Sequence, residues 1–160
     1  MLNFRWNITH SPRLRREVEA KLSVIAIALG LRDADEATIA VCADRRIATL
    51  NARFRNRNET TDVLSFPCDT PILSPGKHTT IAKNQPPRLL GDIFVNLRQV
   101  ERQAKRNGNS AADEMSAVAV HGLLHLLGLG HKSKDDTAKM LAEEKRLFKH
   151  ACIKVVEFGH

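Results

Sequence analysis

The sequence has no tyrosine, and one tryptophan with six phenylalanines brings aromatics to only 4% of its 160 residues. Few rings are available for recognition by stacking. Cysteine is sparse too: Cys42, Cys68 and Cys152 are widely spaced and form no C-x-x-C pair. That excludes a disulfide scaffold and favours reduced thiols, so a cytoplasmic location is expected. Long apolar runs are missing. The longest, Leu22 to Leu31, is broken by Ser23 and Gly30, well short of the ~20 residues that cross a bilayer. The opening MLNFRWNITHSPRLRR has neither the apolar core nor the small-residue cleavage site of a signal peptide. Without secretion the glycosylation pattern Asn7-Ile8-Thr9 is idle.

Acidic residues are the minority: 18 Asp+Glu against 25 Lys+Arg leaves a net charge of +7. An anionic partner is favoured, with nucleic acid ahead of a membrane surface. What the chain does have is an ordinary apolar content of 42% with clear periodicity, which excludes intrinsic disorder. The length fits one domain over residues 1–160, large enough to fold without disulfides or a structural metal.

Ser11-Pro12 predicts an N-cap followed by proline at the first helical position. Leu14, Val18, Leu22, Ile25 and Leu29 then repeat as one buried helix face, stopped at Gly30. Thr38 to Ala43 predicts a strand with Ile39, Val41 and Ala43 on one face. Asp44 is expected to cap a short helix carrying Ile47, Leu50 and Phe54, which runs into the polar segment Arg55 to Thr61. Asp62 to Phe66 and Leu90 to Asn96 are the remaining strand candidates. Between them, Cys68 to Arg88 holds four of the six prolines and is expected to be a long surface loop. A basic helix ends at Asn107-Gly108. Ser110 with Asp113 opens an apolar helix that ends at Gly128, and Asp135 to Ala151 is a last amphipathic helix with Met140, Leu141, Leu147 and Phe148. Strands and helices mix without a regular βαβ repeat, so the fold class is α+β: a small mixed sheet packed with helices.

The informative stretch is HGLLHLLGLGH, residues 121–131. His121 and His125 are one helical turn apart, so both imidazoles leave the same face and can meet on one metal. Gly128 ends the helix, and the chain can turn back to deliver His131. Three neutral nitrogen ligands with a fourth position open describe a catalytic zinc site rather than a structural one, although nickel and copper also suit such ligands. His10, His78, His150 and His160 have no such spacing and are expected to be solvated. The spacing H-x-x-x-H-x-x-G-x-x-H is shared with metzincin peptidases, which place Glu after the first His as general base. Here that position is Gly122. Glu114 or another carboxylate would have to take that role, so shared metal geometry with different chemistry is the better reading.

HGLLHLLGLGH also resembles the H-G-x-L-H-L-x-G-x-D-H signature of the YbeY family, zinc-dependent endoribonucleases of bacterial rRNA maturation and ribosome quality control. LNARFRNRNETTDVLSFP, from Leu50 to Pro67, resembles the family's Leu-Asn, aromatic-Arg and T-D-V-L-S-F-P segment. LGDIFVN, from Leu90 to Asn96, resembles its L-G-D-I strand. The resemblance implies one Zn(2+) ion on His121, His125 and His131. It also implies that Arg55 contacts the RNA phosphate as a catalytic residue, and a guanidinium suits the charge that develops on phosphoryl oxygens. From the residues alone, Arg53, Arg55 and Arg57 are three basic residues of a solvated segment. Ser65 and Asp92 fall in the motif segments, either as supporting groups around the site or as ordinary strand residues.

Two departures stand out. Gly130 replaces the family's Asp before the third histidine, with Asp135 and Asp136 close behind. Leu129 and Phe54 stand where tyrosine is common. Arg98, Arg102 and Lys105 form one positive stripe at helical spacing, available to RNA or simply solvated. With so few aromatics, single-stranded RNA is expected to be held mainly through phosphate contacts. The reading is a single-strand-specific endoribonuclease acting in 16S rRNA maturation and ribosome quality control, with rRNA and the small ribosomal subunit as partners. A non-catalytic, zinc-stabilised RNA-binding assembly factor is one rival. A zinc peptidase is the other.

Overall fold

In the computed structural model, residues 2–6, 11–68 and 87–156 are described. They build four strands, β1 (Leu2–Trp6), β2 (Glu36–Cys42), β3 (Val63–Pro67) and β4 (Leu89–Asn96), and five helices, α1 (Pro12–Ala28), α2 (Asp44–Arg55), α3 (Leu97–Asn107), α4 (Ala111–Leu126) and α5 (Lys134–His150). The α+β class holds. The sheet order is β1-β2-β4-β3. β1, β2 and β4 run parallel, and β3 closes the edge antiparallel to β4.

Strand alternation gives the sheet two different faces. Ala37, Ile39, Val41, Ile93 and Val95 point to one side and join Val18, Leu22, Ile25, Val118, Leu123 and Leu147 in the larger core. Fully burying side chains of this size contributes roughly 1.5–3 kcal/mol each. On the other side Cys42 and Leu64 meet Ile47 and Leu50 of α2 in a smaller cluster, edged by Phe66 and Phe94. α4 is the central helix of the larger core. Nearly every residue from Ala112 to Leu126 is buried, as expected for a helix apolar on all sides. Gly122 lets it approach the sheet: a Cβ there would stand 2.8 Å from Ile93 Cγ2 and 3.0 Å from Ser65 Oγ.

At the start of β2, a buried ion cluster joins two strands. Arg32 and Arg88 both donate to the carboxylate of Asp35, and the Glu36 N–H donates to the Arg88 carbonyl at 2.8 Å. Burial alone would raise the Asp35 pKa, but the two guanidinium partners hold it well below the usual carboxylate range.

Several local expectations are corrected. Ser11 is the N-cap of α1 and Pro12 its first residue, as expected, but the Ser11 side chain makes no capping bond. Ala43 is the N-cap of α2 rather than a strand residue, and Asp44 is the first helical residue. The Asp44 carboxylate instead accepts from Asn96 Nδ2 at 2.8 Å and from Arg102. Leu141 is exposed on α5. β1 was not among the expected strands, although Leu2, Phe4 and Trp6 alternate with Asn3 and Arg5. Residues 69–86 of the expected proline-rich loop, and His10, His78 and His160, lie outside the described residues.

Candidate metal centre

The end of α4 builds the site. Leu127 N–H returns to the carbonyls of Leu123 and Leu124 at 3.1 Å, and Gly128, at φ +96°, donates to the His125 carbonyl at 3.0 Å. Only glycine takes that backbone conformation cheaply. The chain therefore reverses at Gly128 and brings His131 back over the helix end. One nitrogen from each of His121, His125 and His131 lies within 4.8 Å of the others. Their rings form a near-equilateral triangle, with centroids 4.6, 5.3 and 5.3 Å apart. His121 is buried, His125 half-buried and His131 exposed, so the cluster opens to solvent on one side.

Hydrogen bonds choose the ligand atoms. His121 Nδ1 lies 2.5 Å from a Glu144 carboxylate oxygen, and His125 Nδ1 lies 3.0 Å from the Leu129 carbonyl. Both acceptors require a proton on Nδ1, which leaves Nε2 as the lone-pair nitrogen of each ring. These two Nε2 atoms converge to 3.0 Å. Facing lone pairs repel unless a cation or proton lies between them. Two ligands each ~2.0–2.1 Å from a tetrahedral ion stand roughly 3.3 Å apart, so the donor set fits a metal held by nitrogen. Burial, then the neighbouring His121 and His131, then the Arg55 charge push the His125 pKa down to about 4, against the opposing pull of the Leu129 carbonyl. The ring is thus neutral, as a metal ligand must be.

Glu144 was not legible as a site residue. It sits on α5, 23 residues from His121 in sequence, and is buried with Met140, Leu147 and Phe148. The available signal was its place on the apolar face of that helix, where an unpaired carboxylate is costly. Orientation of a metal-binding histidine by a carboxylate fixes the ring tautomer and raises ligand basicity. Glu114, by contrast, is away from the cluster. It lies two helical turns before His121, roughly 10 Å along the axis, and accepts from Asn109 Nδ2 at 2.7 Å.

The remaining candidates are distributed over α2, the sheet, α3 and the start of α5. Arg55 is the last residue of α2 and lines a cavity of about 250 Å³ with Asn51, Arg57, Glu59, Thr60, Thr61 and Leu64. Asn51, also missed from sequence, is buried and donates from Nδ2 to the Glu59 carbonyl at 2.8 Å, tying the following segment back to α2. Arg53 and Arg57 are exposed beside Arg55. Arg98, Arg102 and Lys105 are exposed along α3, but Arg102 is engaged by Asp44 at 2.8 Å. Ser65 is buried under α4 next to Gly122. Asp92 is exposed and pairs in register with Phe66; alternation puts it on the sheet face opposite the histidine helix. Asp135 and Asp136 belong to the first turn of α5. Nothing lies within 4 Å of where a Gly130 Cβ would be. Among the described residues no helix is long and apolar enough to cross a membrane.

Comparison with known proteins bears on this arrangement. A family model described as Endoribonuclease YbeY matches residues 2–151. A protein named Endoribonuclease YbeY from Anaeromyxobacter dehalogenans is 36% identical over 135 residues, covering 84% of this chain and 63% of that protein. One of the same name from Bacillus pumilus is 30% identical over 131 residues, covering 82% of this chain and 81% of the relative. A third from Myxococcus xanthus is 38% identical, with the match covering 81% of this chain but 38% of the relative. The chain thus spans less than two thirds of some relatives and most of others. A solution structure from Thermotoga maritima shares the fold with a TM-score of 0.61 at 22% identity, over 94% of this chain and 89% of that one.

Proposed function

The chain belongs to the YbeY family of endoribonucleases, and on that premise we propose that it cuts single-stranded RNA at a one-zinc centre. The observation that carries this reading is the convergence of His121 and His125 Nε2 atoms, with His131 beside them. When bound there, zinc supplies Lewis-acid chemistry at a coordination position left open by the histidines. Everything else falls to the chain's own groups. Glu144 and the Leu129 carbonyl hold the two helical imidazoles in register. Arg55 acts as the catalytic cation: it binds the scissile phosphate, and that contact strengthens as negative charge develops on the phosphoryl oxygens. Its charge is the smallest of the causes that disfavour protonation of His125. Arg53 and Arg57 extend the phosphate contacts, with Arg98 and Lys105 on α3 as a second basic surface. Ser65 acts by allowing the close approach of α4.

In this reading, which extends the motif resemblance, the substrate is rRNA of the small ribosomal subunit, cut in the cytoplasm during 16S maturation and ribosome quality control. Gly122 speaks against the peptidase alternative. Its position faces Ile93 and Ser65, so the place where a peptidase carries its base is filled by helix–sheet packing.

The test is cleavage of a structured rRNA fragment with a single-stranded end by wild type, His125→Ala and Arg55→Ala, with metal content measured on each. The expected result is cutting by wild type alone, loss of metal only in His125→Ala, and retained fold in both variants. Equal cutting by all three preparations would expose a contaminant and sink the catalytic claim. RNA binding without cutting by any of them would leave a zinc-stabilised RNA-binding factor.

A further inference from the structure

Aromatic side chains are scarce in this protein, yet one is displayed. Phe54 is 57% exposed, the one aromatic among the exposed large hydrophobics of the described residues. It follows Ile47 and Leu50 on the sheet-facing side of α2, but those two are buried. Phe54 lies beyond them, at the edge strand. Its ring is nonetheless held in place. Phe66 meets it edge-on at 5.3 Å and 67°, and Phe94 supports Phe66 in turn at 5.8 Å and 78°. Such edge-to-face pairs fix ring orientation as well as burying area. The Arg53 guanidinium lies 5.3 Å from the Phe54 ring centre, a contact that is weak at an exposed site and easily displaced. The next residue is Arg55, on the wall of the polar cavity.

An exposed ring braced by Phe66, with Arg53 over it and Arg55 next in sequence, suits one ligand: a planar group carried on an anionic backbone. We infer that Phe54 is a stacking platform for an unpaired nucleobase of the RNA strand whose phosphate lies against Arg55. The inference rests on the endoribonuclease reading and deepens it, because it assigns the preference for single strands to a residue. A base in a duplex has both faces covered by its neighbours, whereas an unpaired base offers one to Phe54. Stacking of this kind is tolerant of sequence, so Phe54 selects for unpaired bases without choosing among them. It adds one stacking contact to a strand otherwise held mainly through its phosphates.

The test compares wild type, Phe54→Leu and Phe54→Trp. Each is titrated into a ten-nucleotide RNA with one 2-aminopurine, free or annealed to its complement, followed by anisotropy and by quenching of the modified base. Leucine keeps the apolar contact with Phe66 but has no π face; tryptophan restores one. Phe54→Leu is expected to lose about 5- to 100-fold in single-strand affinity, with duplex binding nearly unchanged, metal content retained and quenching abolished. Phe54→Trp is expected to recover both affinity and quenching. The inference is overturned if Phe54→Leu keeps the wild-type ratio of single-strand to duplex affinity. It is equally overturned if Phe54→Trp is as weak as Phe54→Leu, which would mean the ring serves the packing of α2 or a protein contact. A wild type that neither binds nor cuts RNA would instead remove the nuclease reading, and this inference with it.

Discussion

The two sides of edge strand β3 are built on opposite principles. On one side α4 packs against the sheet and α5 packs against α4 and α1 in the larger core, and the histidines emerge from it with their ring nitrogens assigned by Glu144 and Leu129. On the other side α2 ends in Arg53, Phe54 and Arg55, with Arg57 just beyond, all exposed. Ligand geometry tolerates little error, so it is set in rigid packing. A polymer substrate must be admitted and released, so its contacts stand on an exposed surface. Changes on the first side should cost stability or metal, and changes on the second should cost substrate affinity.

The sharpest way to break that division is on the packed side. Gly122→Glu would force a carboxylate against Ile93 and Ser65, and overpacking with a buried charge should cost about 3 kcal/mol or more in urea unfolding. A stable Gly122→Glu protein would mean that α4 is less tightly seated than described. Next comes Glu144→Ala, which should weaken metal affinity about 10- to 100-fold in competitive chelator titrations while leaving RNA binding nearly intact. Equal loss of both would show the two sides to be coupled.

Acidity probes the same side more gently. His125 titrates near 4 when folded but near ~6.5 when unfolded. Between those values the unfolded chain binds the extra proton. The stability held by neutral His125 is therefore complete above ~6.5 and is lost as pH falls towards 4. The urea midpoint of chelator-treated protein should decline over that window, and metal should leave in the same direction. A midpoint flat across it would refute the assignment.

Along α3 the effects should be smaller. Arg98→Ala should reduce the salt dependence of RNA binding by at most about one unit, and Arg102→Ala by less, because Arg102 is already engaged by Asp44. The reverse order in a salt titration would show that RNA displaces the Asp44 contact. Gly130→Asp should be the mildest change. The open space there accepts a side chain, so the protein should fold normally, and any gain in metal affinity would show what the missing carboxylate does for relatives.

How much of this was legible in the sequence follows from the range of the interactions. His121, His125 and His131 are local: a helix repeat and one glycine turn bring them together, and both features are written in consecutive residues. The faces of α1 and α4 were legible for the same reason. Glu144 belongs to another helix and meets His121 only through tertiary packing. Ser11 and Asp44 have the chemistry of caps, but Asp44 is drawn instead to Asn96 and Arg102, partners that are remote in sequence. Phe54 carried an apolar signal that periodicity assigned to the interior. Where the sheet stops is a property of the assembled fold, and that decides whether such a residue is covered.

The ion cluster at Asp35 has a consequence for how this chain can vary over time. Arg88 is fastened to Asp35 and Glu36, and the Cys68 N–H donates to the Leu90 carbonyl at 3.1 Å, so both ends of the intervening segment are anchored to the sheet. Once the ends are anchored, doubling the length between them adds only about 0.6 kcal/mol of closure entropy. Closure entropy therefore sets only a small penalty on a change in the length of the connection between these two anchors.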